Sequence, residues 1–474
     1  MTVSPTDSTR LTPRQFFAAT AAVMMTILLG ALDQTIVSVA LPSIAHQLGG
    51  FEWMAWVISG YLIAATVVTP LYGKFSDLFG RRHVLGTAII VFVLASIACA
   101  LARTMPQLVI ARVLQGVGGG GLIALAQAVV ADVVPLRDRG RYQSYISIVW
   151  VVASMLGPVV GGVLTEQLSW PWIFWINLPL GLLAFVLVET SLRALPVHRG
   201  HARIDGWGAL LLLIGLTAML IPITRVGQGG AWHDSANLAG WALAAVLLTV
   251  FLRQQRRHPE PIVPMALLAN PIVLAGCGML FLLFFNFIAL SVLVPLRVQM
   301  VANVTTTDAA LHLLPMTLAV PIAAFAGGRW LARTGRVRPP QLLGVALVPI
   351  SLLAVSAAPA TGWAAALGLV GVGVGMGLQI STSLITVQQS VPTVMIGTVT
   401  GLTGFWRLLG GAIGIAVLST ITLLLLRVNG PASDGAFRQL MQICAGVALP
   451  ALWFVRRMPD LHLHAAAARP VPAE

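Results

Sequence analysis

The chain has 474 residues, of which 58% are hydrophobic and only 9% charged, and its mean hydropathy is +0.91. Charged residues make up about a quarter of an ordinary soluble domain, so a water-soluble globular protein is excluded and a bilayer is the natural solvent. The formal charge of +13 suits a nucleic-acid partner only if the basic residues form a patch, and here they lie almost wholly between apolar runs.

Apolar runs of about 18 to 27 residues recur along the chain, each long enough to cross a hydrocarbon core about 30 Å thick. An open sheet cannot satisfy its backbone in lipid, so the runs predict helices. Fourteen are expected, starting near residues 16, 53, 83, 107, 142, 171, 206, 236, 271, 308, 340, 364, 397 and 439. The first follows Arg10 and Arg14, lacks an early small-residue cleavage site, and is expected to be retained as a helix. It contains Leu32-Asp33-Gln34 and runs to Pro42. Asp33 is the only carboxylate well inside a span, where burying its charge costs about 2.5–3.5 kcal/mol on insertion scales. That cost points to a proton carrier; the plainer alternative is a helix-packing Asp satisfied by neighbouring hydroxyls.

The second span holds Trp56 and Tyr61 and ends in the loop from Gly73 to Arg82, which sets Gly73 and Gly80 for tight turns beside Asp77, Lys74, Arg81 and Arg82. Arg112 lies in the fourth span, about 9 Å below the face from which Asp33 is about 12 Å deep. Pairing with Asp33 and snorkelling to the nearer headgroups are its two readings. The Gly116–Gly121 run that follows is not a phosphate loop, because it lies within lipid and no Lys-Ser/Thr comes after it. Gln127 is a further polar residue in that span. The fifth span carries Gly157-Pro158-Val-Val-Gly161-Gly162, a helix without a bulky face and with a bend at proline. Trp170-Pro-Trp-Ile-Phe-Trp-Ile-Asn177-Leu-Pro179 leads into the sixth.

Internal repetition divides the rest. Gly73-Lys-Phe-Ser-Asp77-Leu-Phe-Gly80-Arg81 recurs in degraded form as Gly328-Arg-Trp-Leu-Ala332-Arg-Thr-Gly335-Arg336, an offset of 255 that also separates the runs near 16 and 271. Such repeats mark transporters built from two halves. The halves are too short to fill the offset, so the runs near 206 and 236 are extra and the arrangement is 6+2+6. The expected divisions are a tail at 1–15, a six-helix bundle at 16–190, a linking pair at 206–253, a second bundle at 271–457 and a tail at 458–474. In the second half Asn286, His312, Gln379, Trp406 and Arg407 join Gln34, Trp56, Tyr61 and Gln127 as candidates for a binding cavity, although each taken singly is more often structural. Arg407 is the most informative, since a buried cation needs a partner from another helix, a substrate or water. Gly410, Gly411 and Gly414 repeat the small-residue stripe.

With the N-terminus in the cytoplasm, most of the 28 basic residues fall on inside segments, leaving only Arg103, Arg225, Arg297, Arg427 and Arg438 outside. The positive-inside rule then sets both termini in the cytoplasm. Cys99, Cys277 and Cys444 each fall inside a span without CxxC spacing and read as small core hydrophobes rather than metal ligands.

The Asp33 segment, the Gly73–Arg82 loop, Arg112-Val-Leu-Gln-Gly116, Gly157–Gly162 and Trp170–Pro179, in order on the expected helices, resemble the major facilitator superfamily and within it the fourteen-helix drug:proton antiporter family, a resemblance that covers essentially the whole chain. The resemblance implies an all-α integral membrane protein of two pseudo-symmetric halves in the cytoplasmic membrane. It implies one cavity for Asp33 and Arg112, in which Arg112 stabilises the ionised carboxylate until a proton or cationic substrate replaces it. The Gly73–Arg82 loop becomes a latch: Asp77 and Arg81 hold the halves together in the outward-facing state, with Asp77 at the N-terminus of the helix near 397. Because the second copy has Ala332 in place of Asp77, the latch is asymmetric. Simple positive-inside anchoring is the other reading of Arg81 and Arg82. The Gly-Pro motif implies exchange rather than uptake.

The expected function is proton-coupled export of hydrophobic or amphipathic drugs by alternating access, driven by the proton gradient without a cofactor. The expected partners are small hydrophobic or cationic substrates, protons and membrane lipids, with no nucleic acid and a single chain as the working unit. Export of one dedicated metabolite, siderophore or antibiotic is served equally well by the same scaffold. An intramembrane enzyme would need a paired nucleophile and base, a metal cluster or two close carboxylates, and the spans offer none.

Overall fold

The structure is a computed structural model, and it describes residues 13–133, 139–194, 205–392, 395–430 and 433–457. Fourteen helices are long and apolar enough to cross a membrane. They are α1 (Pro13–Leu48), α2 (Met54–Phe79), α3 (Arg81–Ala100), α4 (Met105–Val133), α5 (Arg139–Gln167), α6 (Asn177–Ser191, after a turn at Trp172–Trp175) and α7 (Gly206–Gly227). They continue as α8 (Ser235–Gln255), α9 (Pro271–Ala302), α10 (Thr306–Thr334), α11 (Arg338–Ala357), α12 (Trp363–Gln389), α13 (Ile396–Asn429) and α14 (Asp434–Ala448, continued by Ala451–Arg457). The chain is therefore a multi-pass integral membrane protein.

Helix boundaries follow local chemistry. Gly80 between α2 and α3 has φ 86° and Gly335 after α10 has φ 65°, so both copies of the repeated motif end on a turn that side-chain-bearing residues resist. Asn270 caps α9 ahead of Pro271, and Thr305 caps α10 by accepting from the Asp308 amide at 3.1 Å. The start of α14 is displaced from expectation, at Asp434 rather than near 439. Its first turn is polar but held: Asp434 accepts from Arg438 at 2.8 Å and from Arg297 at 3.0 Å. Arg297 is correspondingly not on an outside loop. It lies buried within α9 and also donates to the carbonyls of Val355 and Ala358.

In the first half α1 packs on α4, α5 and α6, and α4 on α2 and α3; in the second α12 packs on α10 and α11, and α9 on α13. The extra helices α7 and α8 pack on each other, α7 also touching α2 and α13. Asp205 caps α7 and accepts from the side-chain amides of Gln254 at 2.5 Å and Gln255 at 2.6 Å at the end of α8. Burial raises the pKa of this carboxyl, but these hydrogen bonds outweigh it and hold the group below the usual carboxylate range. A depressed carboxyl stabilises the fold above its unfolded value of about 4, and the contribution is lost as pH falls through the folded value.

Among the described residues the two halves meet toward one end. At the end bearing the α1–α2 turn, the Ser43 and Thr306 hydroxyls lie 2.7 Å apart, Thr307 donates to the Glu166 carboxylate, and the Cβ position of Gly162 is 2.8 Å from Thr307 Cα. Leu62 of α2 reaches the Gly411 position of α13 at 3.2 Å. At the opposite end, Gly73, Gly328, Gly397, Gly401 and Gly404 have nothing within 4 Å of their Cβ positions. The cavity between the halves opens toward the α2–α3 turn.

Candidate functional site

The chemistry concentrates in the first half around Asp33, which is fully buried in α1. Arg112 and Gln115 share one face of α4, three residues apart. Arg112 Nη1 donates to Asp33 Oδ2 at 2.8 Å, Gln115 Nε2 to Asp33 Oδ1 at 2.9 Å, and Asn177 Nδ2 from α6 to the same oxygen at 2.9 Å. Gln115 also donates to Ser96 of α3 at 2.8 Å, and Arg112 Nε to the Val57 carbonyl of α2 at 3.2 Å. The guanidinium lies 4.3 Å from the Tyr61 ring centroid. Five helices thus converge on one carboxylate, and none of Asp33, Ser96, Arg112, Gln115 and Asn177 exceeds 1% exposure. Arg112 does not snorkel, and Asp33 is satisfied by charged and amide donors rather than hydroxyls. The pair is sealed inside the half instead of facing the open cavity.

Glycine in α4 is what lets this cluster form. The Cβ position of Gly116 lies 2.3 Å from the Tyr61 carbonyl oxygen, and that of Gly119 lies 2.1 Å from the Tyr61 hydroxyl. Only residues without a side chain admit α2 and its tyrosine this closely.

The Gly157–Gly162 motif serves two contacts at once. The Cβ positions of Gly157 and Gly161 lie 2.0 Å from Thr35 Oγ1 and 3.0 Å from the Ile36 carbonyl of α1, while Gly162 faces α10 in the other half. Pro158 has no N–H, which frees the carbonyl of Ser154 one turn earlier. Thr317 of α10 donates to that carbonyl at 3.4 Å. The Gly410, Gly411 and Gly414 stripe does the same in α13, with Gly410 and Gly414 against Phe281 and Phe285 of α9 and Gly411 against Leu62 of the first half.

The remaining candidates do not gather at a single site. Trp56 donates to Thr224 of α7 at 3.1 Å and so braces the extra pair. Asn286 and Gln379 are buried inside the second half around one small cavity with Leu282, Val348 and Met376. His312 shares a hydrogen bond with the Asp308 carbonyl of its own helix at 2.8 Å, near the closed end. Gln34 is partly buried and hydrogen-bonds to the Tyr61 side chain at the edge of the Asp33 cluster, whereas Gln127 is partly buried elsewhere on α4. Trp406 packs edge-on against Phe281, and the Arg407 guanidinium stacks 4.5 Å from the centroid of Phe284. In the loop motif, Arg82 pairs with Glu189 of α6 at 2.8 Å, Arg81 donates to Ser76, and Lys74 donates to the Glu260 carbonyl at 2.5 Å. The side chains of Asp77 and Ala332 lie outside the described residues.

Sequence reasoning missed Gln115 and Ser96. Gln115 was signalled by its three-residue spacing from Arg112; a serine in a helix carries no comparable signal. Asn177 stood only as a motif letter before Pro179.

Comparison with known proteins adds the following. The Major Facilitator Superfamily profile matches residues 23–415. An uncharacterized MFS-type transporter of Mycobacterium tuberculosis is 34% identical over 405 residues, 84% of this chain and 58% of the relative. The chain thus spans little more than half the length of that relative. The multidrug transporter protein MdtP of Bacillus subtilis is 29% identical over 398 residues, 82% of this chain and 72% of its own. Among solved structures, an auto-inhibited peptide transporter of the POT family superposes with a TM-score of 0.68 at 17% identity, covering 97% of this chain and 99% of that one; at that identity the likeness concerns the fold.

Proposed function

We propose, since the chain belongs to the Major Facilitator Superfamily and is a transporter rather than an enzyme, that it exports hydrophobic or amphipathic compounds in exchange for protons by alternating access. The observation that carries this reading is the sealed Asp33–Arg112 pair at 2.8 Å. Its supports are the resemblance to a protein named as a multidrug transporter and the distribution of basic residues, which favours both termini in the cytoplasm. On that orientation the open end of the cavity faces the cytoplasm, ready to load, and the end closed by α5 and α10 faces outward.

Coupling follows from the shared helix. α1 carries Asp33, then Thr35 and Ile36 against the α5 glycines, then Ser43 against Thr306. Opening the outer end must slide or tilt α1 relative to α5 and α10. The same motion shifts Asp33 against donors on α4 and α6, which exposes and neutralises it by protonation; return to the inward state re-forms the ion pair and drives the proton off. Arg112 and a proton compete for the same carboxylate, so each is bound where the other is not. In this reading the 6+2+6 division holds, with α7 and α8 as a brace, and the Gly73–Arg82 loop acts as the cytoplasmic latch.

The test is transport of a dye and antibiotic panel by reconstituted protein under an imposed pH gradient. Asp33→Asn is expected to abolish gradient-driven export when rates are compared per folded protein recovered from the membrane, since it also leaves Arg112 without its counter-charge. Export by the wild-type protein that ignores the gradient would overturn the reading.

A further inference from the structure

One charge in the second half takes no part in the exchange just described. Arg407 lies partly exposed on α13, with Phe284 of α9 beneath its guanidinium. Its Nε is buried without an acceptor, and among the described residues no carboxylate pairs with it. The other arginines within the bundle are treated differently: Arg112 has Asp33, and Arg297 has Asp434 and two carbonyls. A guanidinium stays charged at any physiological pH, and burying one without an anion is costly. Stacking on Phe284 offsets part of that cost but supplies no counter-charge.

The position of Arg407 along α13 is equally specific. Gly404, less than one turn toward the open end, faces empty space, whereas Gly411, one turn the other way, is packed against Ile288 and against Leu62 of the first half. Arg407 therefore stands where the cavity between the halves reaches its closed floor. Asp33 and Arg112 cancel each other and are sealed away, so the uncompensated charge nearest the cavity is positive.

We infer that Arg407 is an anion-binding subsite of the transport cavity, and that the substrates are amphipathic organic acids with a carboxylate or sulfonate on an apolar, ring-bearing body. The acid group accepts two N–H bonds from the guanidinium, and the body lies along the aromatic seam of Phe281, Phe284 and Phe285. A cationic compound meets like charge at low dielectric here and is rejected. The inference rests on the exporter reading and replaces its expectation of cationic substrates. A phospholipid headgroup offers the same anion chemistry, so the test separates the two.

The full chain in lipid nanodiscs is titrated with three matched probes, 2-naphthoate, 2-naphthamide and (2-naphthyl)methylammonium, with binding read by calorimetry. Naphthoate is expected to bind at least about tenfold more tightly than the other two, the size of a charge-assisted hydrogen bond. Arg407→Gln is expected to remove that preference and Arg407→Lys to keep part of it. Equal wild-type affinity for the three probes overturns the proposal without reference to any variant, so a poorly folding Arg407→Gln does not shield it. A variant that weakens all three equally overturns it too. Naphthoate affinity that is the same in phosphatidylcholine and phosphatidylglycerol discs identifies a soluble acid as the occupant; competition in the latter identifies a lipid headgroup at the same anion site. Gradient-driven export combined with preferred binding of the ammonium probe sinks this inference and leaves the exchange reading intact, while acid-selective binding with gradient-insensitive export does the reverse.

Discussion

Asp33 and Arg112 are held by geometry that makes each dangerous without the other. Both are below 2% exposure, and removing one member of such a pair leaves an uncompensated buried charge worth about 3–5 kcal/mol of destabilisation, whereas replacing both with apolar groups is often neutral. Arg112→Leu is thus expected to lower the melting temperature of the purified protein sharply, and Asp33→Leu/Arg112→Leu to recover most of the loss without recovering transport. A double variant no more stable than the single one would show that the pair is not the local unit of stability. The depth estimate from sequence already set these two residues at one level. It did not identify Gln115, Ser96 and Asn177 as the shell, because a spacing of three residues from Arg112 gives Gln115 a shared face without saying whether that face meets a partner, a cavity or lipid. Asn286 and Gln379 have the same sequence character as Gln115, yet the structure puts them in a different cluster.

Helix contacts here are decided by where side chains are missing. Gly116 faces a backbone carbonyl of α2, which cannot move alone, while Gly119 faces the end of a side chain, which can be shortened. Gly116→Ala is expected to be destabilising whatever its surroundings. Gly119→Ala is expected to be rescued in part by Tyr61→Phe, measured as recovery of melting temperature. If Tyr61→Phe rescues both variants equally, the assigned contacts are wrong. The spans themselves were legible because a 30 Å barrier forces long apolar runs, and Gly80 and Gly335 could be matched because both end a helix at positive φ. The start of α14 was not legible, since its charged first turn is held by Arg297, a residue 137 positions away. The glycine run of α4 was recognisable as something other than a phosphate loop, but its partner was not, because composition names a small face without naming what approaches it.

At the scale of the molecule, the two small-residue stripes are equivalent under the pseudo-symmetry: α5 lies on α1 in its own half and α10 in the other, and α13 lies on α9 in its own half and α2 in the other. Each stripe is at once a packing seam within its half and a contact across to the other, and on the exchange reading it lets the halves rock without losing their internal contacts. Ser43→Cys/Thr306→Cys, placed where the two hydroxyls are 2.7 Å apart, is expected to cross-link under oxidation and stop transport, with reduction restoring it. Normal transport by the cross-linked protein would exclude opening at that end. The unpaired Arg407 then has an electrical consequence. On the exchange reading with an acid substrate, an organic acid leaving a negatively charged interior and a proton entering it both carry positive current inward, so one turnover would move two charges. At about 2.3 kcal/mol per charge per 100 mV, the membrane voltage supplies about 4.6 kcal/mol per 100 mV to each cycle. A monovalent cation exchanged for one proton draws nothing from that voltage, so the sign of one arginine decides whether the pump runs on the pH difference alone or on the whole electrochemical gradient.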